Sequence, residues 1–234
     1  MLVTDESREW LLYEFPGLKI TPNGIFGAIG FIAAYNSVEK YFQIFKNGEE
    51  PGMNEVFLKG SFEVEIVERK QKLLSQLPAV TVRGIDPIPA RHFNQKDKTA
   101  CLCSPFEEDE FLFPEFSIKK FIKRLVIPFL YGQVFYSNYG KWPWPEYMHG
   151  PVGLLESYFK INDSSKAQNC VHKLVQDRQT WERIKQALEQ KNRIQGHTIC
   201  FCPNADQIRR CHPDAWKGII ALRKDVKVNS IRIN

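Results

Sequence analysis

The sequence predicts an α+β fold: a short N-terminal helix, a run of antiparallel strands, an ordered loop, and helices that end in a small cysteine-rich extension. Three observations carry that expectation. Residues 57–67 alternate, with Phe62, Val64 and Ile66 on one side and Glu63 and Glu65 opposed, which is the period of a half-solvated antiparallel strand. Residues 118–129 space their apolar side chains as one stripe of a helix. The strand-like segments lie together, ahead of the longer helices.

In chain order, residues 5–15 set Trp10, Leu11 and Phe15 at helical spacing behind the polar starters Asp5 and Ser7, and Pro16-Gly17 closes the segment. Residues 25–35 are rich in β-formers with bends available at Gly24, Gly27 and Gly30, and residues 41–45 form a shorter apolar run. Asn47-Gly48 and Pro51-Gly52 supply turns before the alternating strand. Val80 and Val82 read as a further short strand, while Pro78, Gly84, Pro87 and Pro89 forbid a long helix over 77–103. Ser117 can cap the helix that carries Ile118, Phe121, Ile122, Leu125, Val126 and Phe129, and Pro128 either kinks or ends it. Residues 131–150 are dense in Tyr, Trp, Pro and Gly, and Trp142-Pro143-Trp144-Pro145 excludes ordinary helix or central strand, so a packed cover loop is expected. One amphipathic helix is expected over 171–194, with Val171, Leu174, Val175, Trp181, Ile184 and Leu188 on one side. The expected division is a main domain over 1–160 and a helical extension over 161–234.

At 234 residues the chain can bury one good core, or one core with a small appendage. Hydrophobic residues at 43%, aromatics at 13% and charged residues at 25% exclude a disordered or fibrous chain. The longest apolar stretch, 25–35, falls short of the about 20 residues a membrane span requires. The first nine residues are acidic and polar, unlike the basic start of a secretory signal, so a cytoplasmic protein is expected. Lys and Arg total 32 against 27 for Asp and Glu, a net charge of +5. The charges are interspersed except for Lys119, Lys120, Lys123 and Arg124 and for Arg209-Arg210. Such runs serve a solvated helix face or an acidic partner, and the solvated face is the commoner case. Neither a membrane nor a nucleic acid is the expected partner.

Six cysteines are present, and their spacing matters more than their number. Cys101 and Cys103 form one pair, Cys200 and Cys202 a second with Cys211 nearby, and Cys170 stands alone as a core candidate. In a cytosolic chain such clustering points to metal ligands or catalytic thiols. A thiol can both form a thioester and leave from it, and a free cysteine with pKa near about 8.5 keeps enough thiolate at neutral pH for exchange between thioesters. A fixed amide donor such as Asn94 can bind the charge that develops on the carbonyl oxygen, and losing one such donor costs about 3 kcal/mol. Cys103 lies on the same side of an extended chain as Cys101, so it is a neighbour, a redox partner or half of a metal site.

The stretch His92-Phe93-Asn94 followed, after a polar turn, by Ala100-Cys101-Leu102 resembles the active-site segment of ubiquitin-conjugating enzymes, in which a His-Pro-Asn motif precedes an apolar-Cys-Leu sequence. The resemblance covers roughly residues 5–160, since the helix, meander and following helix occur in the family's order. It implies a ubiquitin-conjugating-enzyme-like fold, with Cys101 as the thioester-forming nucleophile and Asn94 and His92 as its supporting residues. Leu102 after Cys101 fits the family pattern, whereas Ser104 after Cys103 does not. Phe93 stands where the family usually has proline, and the turn is one residue shorter than the common form. Asp97, Glu107, Glu108 and Asp109 are candidate acidic partners for an incoming lysine, and His149 is a candidate base.

The tail reads Cys200-Phe201-Cys202, eight residues, then Cys211-His212. This spacing resembles the zinc motif at the C-terminus of the secretory ATPase SecA, without the Gly-Ser-Gly-Lys-Lys usual between its cysteines. Three thiolates and one imidazole suit tetrahedral zinc with no position left for water, so a structural Zn2+ held by Cys200, Cys202, Cys211 and His212 is expected. His197 is a candidate substitute ligand or hydrogen-bond partner to the ligands.

The combination of such a domain with such a tail resembles the stand-alone conjugating enzymes of cyclic-oligonucleotide antiphage systems (CBASS). The resemblance implies that Cys101 accepts the C-terminus of a cGAS-like nucleotidyltransferase, or of a ubiquitin-like protein, and passes it to a lysine. No Gly-rich dinucleotide or phosphate-binding fingerprint is present, so activation of the carboxyl group comes from elsewhere. The competing expectations are a non-catalytic zinc-containing adaptor and a Cys-His peptidase using Cys101 with His149.

Overall fold

Strong local signals start the chain. The computed structural model describes residues 2–46, 48–49, 52, 55–69, 75–190 and 194–233. Helix α1 (Asp5–Glu14) opens with Thr4 as its cap: the Thr4 side chain accepts from the Ser7 N–H while the Ser7 hydroxyl accepts from the Thr4 N–H, a reciprocal box that satisfies two otherwise orphaned donors. Leu11 is the helix's fully buried side chain.

Five strands follow: β1 (Leu18–Thr21), β2 (Gly24–Asn36), β3 (Tyr41–Ile44), β4 (Glu55–Val67) and β5 (Ala79–Val82). All pair antiparallel, in the order β1-β2-β4-β5, with β3 beside the far end of the β2 edge that also carries β1. The β2–β4 ladder runs from Ile25 opposite Ile66 to Asn36 opposite Glu55. Ile25, Ile29, Phe31, Ala33 and Tyr35 of β2 share the buried face with Val64 and Ile66 of β4, while Glu63 faces out, so the period of two is realised. The bends expected at Gly24, Gly27 and Gly30 do not break β2. Gly27, at φ 126°, instead lets the strand lie against the preceding turn, where a Cβ would stand 2.2 Å from the Gly17 carbonyl oxygen. The turns expected at Asn47-Gly48 and Pro51-Gly52 involve Asn47 and Pro51, which lie outside the described residues.

The buried face is covered by helical chain: α2 (Asp109–Leu112), α3 (Ile118–Phe121) capped by Ser117, a π-helical turn over Ile122–Val126, and α4 (Ile127–Tyr139). Pro128 neither ends nor sharply breaks this path. The Ile127 N–H bonds the Ile122 carbonyl five residues back, and this register shift absorbs the missing donor of Pro128. Residues 131–139, expected as part of a cover loop, continue α4, because Tyr131 and Phe135 lie on its buried side and Tyr131 donates its hydroxyl to the Val56 carbonyl at 2.6 Å. Gly132 is tolerated there because the Trp142 ring fills the place of its Cβ, 2.0 Å away. This first compact unit comprises Met1–Cys103 and Glu108–Glu146.

The second unit, Ser104–Glu107 with Tyr147–Asn234, is helical. It contains α5 (Gly150–Ile161), a 3₁₀ turn over Ser164–Lys166, α6 (Ala167–Val175), α7 (Arg178–Glu189), α8 (Ile208–Cys211) and α9 (Pro213–Val228). The single helix expected over 171–194 is therefore two. Asp177 divides them by accepting from the Thr180 N–H at 3.0 Å as the cap of α7, and 191–193 lie outside the described residues. Helix α9, not anticipated, buries Ala215, Ile219, Leu222 and Val226 in one stripe. It packs on α5 at close range: a Cβ at Gly218 would stand 2.0 Å from the Leu155 carbonyl oxygen. That packing groups α5 with α9 in the second unit. Among the described residues no helix is long and apolar enough to cross a membrane.

Candidate active-site hairpin and metal centre

The segment after β5 returns along that strand, with the Ala100 N–H bonded to the Val80 carbonyl at 2.7 Å. Residues 92–101 then close on themselves as a small hairpin. The Cys101 N–H donates to the His92 carbonyl at 2.8 Å, Phe93 bridges Ala100, and the Asn94 N–H donates to the Thr99 carbonyl at 2.9 Å. His92 and Cys101 are thus cross-strand partners and Asn94 lies two residues along the same arm: the hairpin brings the three predicted residues together. The bridged pair Phe93 and Ala100 is buried, as is Thr99 opposite Asn94, whereas His92, Asn94 and Cys101 are half-buried. Phe93, in place of a proline, anchors the hairpin by meeting Phe129 edge to face at 5.3 Å.

His92 takes the left-handed conformation at φ 55° after a 3₁₀ turn over Pro89–Arg91. Its Nε2 lies 2.9 Å from a Glu146 carboxylate oxygen, and its ring meets Trp142 edge-on at 4.4 Å. Trp142 in turn donates to the Ala90 carbonyl at 3.2 Å, and Gln133 of α4 donates to the Arg91 carbonyl at 2.7 Å. The approach to the hairpin is therefore held from two sides. Asn94 directs its amide nitrogen to Thr99, at 3.0 Å from Oγ1 and 3.3 Å from the carbonyl, so its donors are spent inside the hairpin. Loop support is the role this geometry gives it; donation to a developing oxyanion requires one of those bonds to be released.

Burial pushes the Cys101 thiol above the ordinary cysteine value. The Arg69 charge pulls in the other direction, and the Glu108 carboxyl adds to the rise. Glu108 is buried and accepts the Gln76 N–H at 2.8 Å. The other acidic candidates are engaged differently. Asp97 binds Thr99 within the hairpin and Arg69 from outside it; burial opposes its ionisation, but those bonds hold its carboxyl below the usual value. Glu107 accepts the Ser104 N–H at 2.8 Å in the second unit, and Asp109 starts α2. Cys103 is partly buried against the core of the first unit, and Cys170 is fully buried in the second. His149 is the residue before α5, in the second unit. Arg69 carries no signal in the sequence: it contacts Asp97 and Thr99 from 28 and 30 residues away, and no local pattern encodes that.

In the second unit, Cys200, Cys202, Cys211 and His212 bring their ligand atoms within 4.8 Å of one another, a cluster that could hold a metal ion. The Cys200 N–H bonds the Asp206 carbonyl at 2.7 Å and Ile199 bridges Gln207, so the chain folds back to bring α8, which ends at Cys211, against the Cys200–Cys202 turn. His212 follows and precedes the first residue of α9. Cys200 Sγ is 3.2 Å from His212 Nδ1, and the Cys202 and Cys211 sulfurs are 3.5 Å apart. A tetrahedral site with metal–sulfur bonds of about 2.3 Å has ligand–ligand edges of about 3.8 Å, so the donor set and its spacing fit such an ion. Burial pushes the Cys200 thiol up to about 12. Burial also opposes ionisation of Cys202, but contacts from Cys211 and Cys200 and the N–H groups of Ala205 and Asn204 outweigh it and hold that thiol below the ordinary value. His197 is exposed and stands outside the four. No family model, curated protein or solved structure matches this chain.

Proposed function

We propose that this protein is an acyl carrier of the ubiquitin-conjugating type, with a ubiquitin-conjugating-enzyme-like first unit and a structural zinc site in the second. The observation that carries the reading is the hairpin in which Cys101 pairs with His92, and Asn94 braces the same turn through Thr99. The thiolate of Cys101 attacks the carbonyl carbon of a thioester on a donor protein; a new carbon–sulfur bond forms, and the donor's sulfur leaves and takes up the proton. An amine then attacks, the carbon–nitrogen bond forms, and the Cys101 sulfur leaves while the nitrogen gives up a proton. A thiol raised by burial is a slower leaving group than an ordinary cysteine, which lengthens the life of the thioester and suits a carrier.

The acyl group in this reading is the C-terminus of a cGAS-like nucleotidyltransferase or of a ubiquitin-like protein, transferred to a lysine in cytoplasmic antiphage defence. Three thiolates and an imidazole close the zinc shell, so the metal ties chain together and takes no part in transfer. Co-expression with the donor protein followed by intact-mass measurement tests the reading. The expected result is a hydroxylamine-sensitive adduct on Cys101 that becomes hydroxylamine-resistant in Cys101→Lys. Undiminished partner modification in Cys101→Ala would overturn it in favour of the binding-only adaptor.

A further inference from the structure

Arg69 lies two residues past the end of β4, with its side chain only 10% exposed. Removing a guanidinium from water costs several kcal/mol unless geometry returns it, so its contacts are informative. One terminal nitrogen donates to Asp97 Oδ2 at 2.9 Å and the other to Thr99 Oγ1 at 3.1 Å. The Thr99 hydroxyl donates to Asp97 Oδ1 at 2.8 Å while it accepts from Asn94 at 3.0 Å. That single hydroxyl thus uses one donor and two acceptor sites, its full capacity, and Arg69, Asp97, Thr99 and Asn94 form one closed network across the mouth of the hairpin. Arg69 is also the cation that acts on the Cys101 sulfur.

We propose that Arg69 is a positioning residue for Cys101: it locks Asn94 and Thr99 in register through Asp97 and keeps a permanent positive charge within electrostatic reach of the sulfur. This deepens the acyl-carrier reading and rests on it for its role in transfer. The planar fork matters as well as the charge, because lysine cannot bridge an aspartate and a threonine hydroxyl in the same way.

Full-length Arg69→Gln and Arg69→Lys proteins test the proposal with two readouts. The first is alkylation of Cys101 by iodoacetamide across pH, followed by peptide mapping, which needs no acyl donor. The second is single-turnover aminolysis of the Cys101 thioester. Arg69→Gln is expected to slow alkylation at pH 8 about tenfold and to slow aminolysis at least as much. Arg69→Lys is expected to keep the alkylation profile while aminolysis still falls about tenfold. An unchanged alkylation profile in Arg69→Gln, with only its melting temperature lowered, overturns the proposal. If Arg69→Gln does not fold, Arg69→Lys decides alone: slowed aminolysis with the alkylation profile retained supports it, and aminolysis at the original rate overturns it. Should the natural protein form no thioester, the acyl-carrier reading fails on its own, while the alkylation profiles still report whether Arg69 acts on Cys101.

Discussion

Thr99 shows how little freedom the hairpin leaves. Its carbonyl accepts from Asn94, its N–H and hydroxyl both turn to Asp97, and the hydroxyl accepts from Arg69, so the side chain opposite Asn94 is bonded at every polar atom. The consequence is a sulfur held in a fixed place but in a poor medium for charge. Burial raises the Cys101 thiol, and for an acid whose charged form is the reactive one this moves the rise in reactivity to higher pH. Alkylation of Cys101 should therefore lag that of free cysteine at pH 8 and still accelerate above pH 9, a region where an ordinary thiol with pKa near about 8.5 has largely levelled off. Buried Cys170 should stay unmodified throughout. Mapping the modified peptides against pH checks both, and a Cys101 profile that levels off below pH 8 would refute the first. That His92, Asn94 and Cys101 lie together was legible in the sequence because the hairpin that joins them spans ten positions. Arg69 was not, and Glu108 was only one of four acidic candidates, because their relation to Cys101 comes from chain outside the hairpin.

At the scale of elements, legibility followed the strength of the local signal. Helix α1 has its cap and its stop, and β4 has a strict alternation, so both were readable from residues alone. Where one residue type serves two ends, the local signal is ambiguous. Pro128 ordinarily ends a helix, but a single π turn ahead of it supplies the needed register shift. The aromatic residues of α4 resembled a cover loop because their partners, such as Val56, lie far away in the chain. The stripe Ala215, Ile219, Leu222 and Val226 is helical by spacing, a signal available in the sequence next to the cysteine motif. Gly218, on the same helix, is the point where α9 touches the α5 backbone. Gly218→Val should force the two helices apart and cost about 1–3 kcal/mol of stability, with faster amide exchange in both α5 and α9. Ordinary exchange protection at Leu155 and Ile219 in that variant would show that the close approach is not needed.

For the molecule as a whole, an α+β architecture with an antiparallel sheet and a Cys/His cluster was foreseen, since both depend on patterns that repeat or cluster locally. The packing of α5 against a helix some 60 residues later has no local signal in the sequence. In the second unit the cluster ties short pieces of chain together. Cys200 and Cys202 lie in a turn with one isolated β-bridge, α8 has four residues, and His212 stands at the start of α9. The segment anchors itself through buried Phe201 and Ile208, but its own elements are short, so a metal that joins the turn to both helices would add to its stability, as structural zinc does in small domains. Purified protein should carry about one equivalent of zinc by elemental analysis. Removing it with a strong chelator should expose the amides of Cys200, Ile208 and Cys211 to rapid exchange, while Leu222 and Val226, farther along α9, keep more of their protection. Ligand protonation competes with the metal, so the loss should come at lower chelator concentration as pH falls. Cys202→Ser should reproduce the loss without chelator. Protein that holds less than about half an equivalent of zinc, yet protects Cys200 and Ile208 fully, would mean that the hydrogen bonds of the turn suffice and the four side chains pack without an ion.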